Sequence, residues 1–154
     1  MSTLSLSTRY SLGIYTALVG YFFLMKLLGL EEFTEFRLFN FFIVMGGLFL
    51  VVKESMSKNP KSYMQNLFLA IKTSTKTMFL VSISLLVYLS WINPGYMEIL
   101  ENSLVWGRNL SVQQVVLAIL IEGISSTYVL SFIIMQYMKN WTAERNDIIS
   151  KTLF

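Results

Sequence analysis

The stretch "LAILIEGISSTYVLSF", residues 117–132, is the most telling in the chain. All of it is apolar, small or weakly polar except Glu122 near its middle. It belongs to a longer apolar run, Ser111 to Met138. A helix crosses the hydrocarbon core of a bilayer with about 20 such residues. The run shows none of the alternation expected of a barrel strand, so it reads as a membrane-spanning helix.

Three more runs have this character. They are "YSLGIYTALVGYFFLMKLLGL" from Tyr10, "FRLFNFFIVMGGLFLVV" from Phe36, and a run strongest over "TMFLVSISLLVYLSWI" that starts further back, near Leu67. The expected spans are therefore 10–30, 36–52, 67–92 and 111–138. The first is too long for the apolar region of a signal peptide, and no small-residue cleavage pattern comes after it. The expected fold is all-α, a single domain of four transmembrane helices packed as a bundle.

Composition agrees. Of 154 residues, 55% are hydrophobic and 14% charged, with mean hydropathy +0.59. Soluble domains carry about 25% charged residues. The chain has no Cys and no His. That removes disulfides, thiol nucleophiles and histidine-based relays or haem ligation, and it argues against structural zinc. No cofactor and no nucleic-acid partner is expected. The net charge of +3 matters through its distribution across the membrane.

Lys and Arg set the orientation of such proteins. Lys53, Lys58 and Lys61 lie between spans two and three, and Lys72 and Lys76 enter span three. Arg9 precedes span one, and Lys139, Arg145 and Lys151 come after span four. The other two loops hold Arg37 and Arg108 against Glu31, Glu32, Glu35, Glu98 and Glu101. Both termini are expected in the cytoplasm. Asn59-Pro60 breaks the chain before span three, with Ser62 placed to cap the next helix. Asn93-Pro94-Gly95 stops span three, and "GYMEILENSLVW" reads as a short amphipathic helix on the outer face. Trp91, Tyr96 and Trp106 suit the outer headgroup level. Ser111 and Gln114 have capping-box spacing.

Within the membrane the polar and small residues stand out. At about 1.5 Å per residue, Glu122 lies roughly 17 Å from the outer end of its span. Gly46 and Gly47, Gly20, and Ser82 with Ser84 reach similar depths, and Gly123 is next to Glu122. Helices in lipid associate through close packing at small residues and through inter-helix hydrogen bonds. The reading is that Gly20, Gly46, Gly47 and Gly123 pack at mid-depth. Glu122 is expected to face inward, uncharged, tying helices together, or to pair with a neighbouring subunit. A carboxyl at the bilayer centre otherwise costs about 2.5–3.5 kcal/mol. The alternative is that Glu122 binds a proton or cation. Asn40 reads as an inter-helix hydrogen-bond donor. Lys26 reads as snorkelling to the outer surface or pairing with the adjoining acidic turn. Lys72 and Lys76 share a helix face, where they can contact lipid phosphates or a partner.

The segments "EFRLFNFFIVMGGLFLVVKE", "INPGYMEILE" and "LSVQQVVLAILIEGISSTYVLSFIIMQYMK" resemble a family of small four-helix bacterial inner-membrane proteins with no assigned function. The matching positions are Arg37, Leu38 and Asn40, then Pro94 to Glu98, then Glu122 and Gly123, within about Glu35 to Lys139. Where that family often has a further Gly, this chain has Ser126. The resemblance implies an inner-membrane setting and no chemistry.

No nucleophile–base cluster or metal site is visible, so the expectation is a non-catalytic protein. The leading reading is a structural or accessory subunit of a larger membrane assembly, partnered by lipid and by other subunits or further copies of itself. The alternative is a small transporter or channel working through Glu122.

Overall fold

The computed structural model describes the backbone of residues 5–30, 38–58, 62–103 and 110–152; within these, the side chains of residue 99, of 101–103 and of those beyond 139 are excepted. The acidic turn with Glu31, Glu32, Glu35 and Arg37, the Asn59-Pro60-Lys61 break, and Trp106 and Arg108 lie outside the described residues. So do the side chains of Glu101, Arg145 and Lys151.

Among the described residues every regular element is helical. They are α1 (Leu6–Leu27), α2 (Leu38–Lys58), α3 (Tyr63–Val87), α4 (Tyr96–Ser103) and α5 (Val112–Thr152). α3 continues through a π-helical turn, Tyr88–Ile92. Four of these helices are long and apolar enough to cross a membrane: α1, α2, α3 with its π-turn, and α5 over Val112–Lys139. The chain is a multi-pass helical membrane protein.

Local chemistry sets the ends. α1 starts earlier than the apolar run because Ser5 caps it, its hydroxyl accepting from the Thr8 amide at 3.4 Å. It stops at Leu27 because Gly29 takes a left-handed conformation, φ 66°. The Leu30 amide then reaches the Met25 carbonyl and the Gly29 amide the Lys26 carbonyl. These two bonds form the Schellman closure, which favours glycine at that position. α3 begins at Tyr63 with a full capping box between Ser62 and Gln65. Ser111 and Gln114 make the same reciprocal pair, with the Ser111 amide donating to Gln114 Oε1 at 2.8 Å. The π-turn ends where the Asn93 amide reaches back to the Tyr88 carbonyl, just before Pro94.

α3 is the central helix, packed on α1, α2 and α5; α2 also packs on α1 and α5. α1 and α5 therefore occupy opposite corners. Hydrogen bonds fix the register. Thr73 meets Ser7 and Ser84 meets Tyr15, so α1 and α3 run parallel. Thr75 meets Tyr128 and Tyr63 meets Gln136, so α5 runs antiparallel to α3. One end of the bundle thus gathers Arg9, Lys53, Lys58, Lys72 and Lys139 and is called the basic end; α4 marks the other.

Two apolar clusters hold the helices together. The larger includes Ile14, Leu48, Val51, Val52, Ala70, Leu130 and Met135. The smaller, at the α4 end, is built from Tyr88, Leu89, Tyr96, Leu100, Val115 and Val116. Tyr96 and Leu100 are the buried face of α4, as an amphipathic helix requires.

Candidate functional site

Glu122 corrects the sequence reading. Its side chain stands on the outer surface of α5, not toward the bundle interior. Ser125 and Ser126, one turn on, are exposed beside it, and so are Leu117, Ile121 and Val129. The buried face of α5 is instead Val115, Val116, Thr127, Leu130, Ser131, Ile134, Met135 and Met138. The midpoint of the span therefore presents a carboxyl and two hydroxyls to whatever surrounds the bundle.

The glycines divide. A Cβ at Gly47 would lie 2.6 Å from Ile14 Cδ1 and closer still to Cγ1. A Cβ at Gly123 would lie 2.8 Å from Met78 Sδ. These two glycines permit close approach of α2 to α1 and of α5 to α3. Gly20 and Gly46 do not: a Cβ on either meets nothing within 4 Å. The expectation that all four pack within the bundle is corrected for these two. Asn40 is half-buried in the first turn of α2, and its side chain makes no hydrogen bond among the described residues. Ser82 is buried, and Ser84 meets Tyr15 at 2.6 Å.

Polar side chains that sequence reasoning passed over hold the basic half together. Glu54 accepts hydrogen bonds from the Tyr10 hydroxyl and from Lys58 Nζ at 2.6 Å. Arg9 stands 4.0 Å from the same carboxylate. Ser55 Oγ donates to Asn66 Oδ1 at 2.9 Å, with both side chains buried. Between α1 and α3 runs a stair of hydroxyls. Thr73 donates to Ser7 Oγ at 3.1 Å, and Thr77 lies 3.4 Å from the Ser11 carbonyl and 3.0 Å from the Thr73 carbonyl. Ser7 and Ser11, and Thr73 and Thr77, are pairs four residues apart. That spacing on an otherwise apolar helix is the signal that could have found this seam.

Lys72 and Lys76 sit beside it. Lys76 Nζ donates to Thr8 Oγ1 at 2.7 Å, while Lys72 is exposed. Both line a groove of about 620 Å³ between α1 and α3.

At the α4 end, Lys26 is half-buried rather than extended into solvent. Its Nζ donates to Tyr88 Oη at 2.7 Å. Phe22, Tyr88 and Tyr96 meet edge to face around it, with ring centroids 5.3–5.7 Å apart. The π-turn starts at Tyr88, and Asn93 Nδ2 reaches the same hydroxyl at 3.4 Å. The acidic residues proposed as partners of Lys26 lie outside the described residues.

Among the described residues no cluster of three or more His, Cys, Asp or Glu forms a metal site. Comparison with known protein families, with characterised proteins and with solved structures finds no match to this chain.

Proposed function

We propose that this protein is a non-catalytic subunit of a larger membrane assembly, joined to its partner through the outward face of α5. The supporting observation is Glu122 with Ser125 and Ser126 on the outside of the bundle at mid-span. A carboxyl facing lipid at that depth costs about 2.5–3.5 kcal/mol. A neighbouring helix that accepts and donates hydrogen bonds removes that cost, and the flanking small hydroxyls allow it to come close. A bacterial inner membrane with both termini cytoplasmic belongs to this reading, supported by the lysine distribution and by the resemblance over Glu35 to Lys139. The transport reading has weaker support. Glu122 does not line an interior path, and spans α1 to α3 contribute no second acid at its depth.

The test compares Glu122→Gln with Glu122→Leu in the full chain, by recovery of the assembly in mild detergent. Gln keeps shape and hydrogen bonding and should preserve it. Leu should release the partner. If Leu leaves the assembly intact, the α5 face contacts lipid and the proposal fails. If Gln preserves the assembly but abolishes a cellular ion or proton flux, Glu122 is a transport site instead.

A further inference from the structure

The groove between α1 and α3 supports a second inference, independent of the α5 face. We propose that it binds one anionic phospholipid, with the phosphate at Lys72 and Lys76 and an acyl chain running toward Ile83.

The head of the site is cationic and hydrogen-bonding. Lys72, Lys76, Thr8 and Thr75 line its basic end. Thr8 belongs to the first turn of α1, where the helix dipole presents its positive end. Two lysines and that helix start therefore line the same end of the groove. Among the described residues neither lysine meets a carboxylate. The nearest acidic group of the neighbouring α2, Glu54, is already held by Tyr10, Lys58 and Arg9. Lys76 is fixed by its bond to Thr8, and Lys72 stands one turn nearer the basic end, where it can follow a ligand. Uncompensated cations at a membrane boundary attract anionic headgroups.

The tail of the site is apolar. Leu12, Phe79, Leu80 and Ile83 continue the groove away from the lysines. Phe79 and Ile83 are 50% and 61% exposed, so the groove opens sideways from the bundle, where acyl chains lie. From Lys76 to Ile83 the helix rises about 10 Å, enough for much of one acyl chain. A free phosphate would use the head and leave this apolar length empty. Charge at one end and an open apolar channel at the other together select a lipid.

The experiment titrates the purified full-length chain in neutral detergent with phosphatidylglycerol, with phosphatidylethanolamine of the same chains, and with glycerol 3-phosphate. Bound species are counted by native mass spectrometry. Phosphatidylglycerol should bind one per chain and in preference to phosphatidylethanolamine. Lys72→Gln should weaken it about fivefold, and Lys72→Gln with Lys76→Gln roughly 25-fold. The Lys72 side chain makes no hydrogen bond among the described residues, so the single variant tests the idea even if the double variant folds poorly. Ile83→Trp should fill the channel and weaken the lipid while sparing glycerol 3-phosphate. Lys139→Gln, which removes a charge at the same end outside the groove, should change nothing. Undiminished phosphatidylglycerol binding in Lys72→Gln overturns the proposal. So does equal binding of phosphatidylethanolamine, or glycerol 3-phosphate binding as tight as the lipid.

Discussion

Gly46 and Gly47 are neighbours in sequence, yet an added methyl should do opposite things at the two positions. Both sit inside α2, so Gly→Ala should gain about 0.8–1.0 kcal/mol of helix propensity at each. At Gly46 the new Cβ meets nothing within 4 Å, and that gain should appear as increased stability. At Gly47 the Cβ lands 2.6 Å from Cδ1 of Ile14, a β-branched residue that is itself 4% exposed. Overpacking of this kind costs about 1–3 kcal/mol. The propensity term is common to both, so the difference between the two variants should be about 1–3 kcal/mol. Truncating Ile14 supplies the control. Ile14→Ala alone should cost about 2–5 kcal/mol through the cavity it leaves. It also removes the clashing atoms, and the Ile14 Cβ lies 3.6 Å from the added methyl, an ordinary contact. Gly47→Ala combined with Ile14→Ala should therefore be neutral or stabilising relative to Ile14→Ala alone. The assay is reversible unfolding in mixed micelles, followed by circular dichroism, over the four corners of the Gly47–Ile14 cycle plus Gly46→Ala. Equal responses at the two glycines, or a Gly47 cost that survives Ile14→Ala, would refute the packing argument.

Two further outcomes are expected from the same structure. Ser57 is exposed near the end of α2, so Ser57→Cys, in a chain with no native Cys, should react with a membrane-impermeant maleimide only after cells are opened; labelling of intact cells overturns the orientation. Asn66→Ala should cost about 1–3 kcal/mol in the micelle unfolding assay, because it strands the buried Ser55 hydroxyl; an unchanged midpoint would mean that this pair is dispensable.

Features that depend on neighbours along the chain were legible in the sequence. Run length and apolarity gave the four spans. Ser62 as a cap and the capping-box spacing of Ser111 and Gln114 marked two helix starts, because a cap needs only residues close along the chain; the partner of Ser62, Gln65, emerged from the structure. The end of α1 was misplaced by a few residues, since Leu28 and Leu30 are as apolar as the helix and only the left-handed turn at Gly29 ends it. Tertiary structure decided which side of each helix faces in. In a soluble bundle the apolar stripe would have shown that, but lipid is as apolar as the core and leaves no such stripe. Glu122 could thus be placed near the middle of its span and turned the wrong way. Gly46 and Gly47 looked equivalent, although consecutive residues point about 100° apart around a helix and only Gly47 meets Ile14. The Ser7–Thr73 stair, the Tyr10–Glu54 pair and the groove holding Lys72 and Lys76 join residues more than forty positions apart. Spacing along one helix can mark a hydroxyl-bearing face, but it does not say which face it meets: the hydroxyl pairs form because α1 and α3 run parallel in register, and Tyr10 reaches Glu54 because α2 packs against α1.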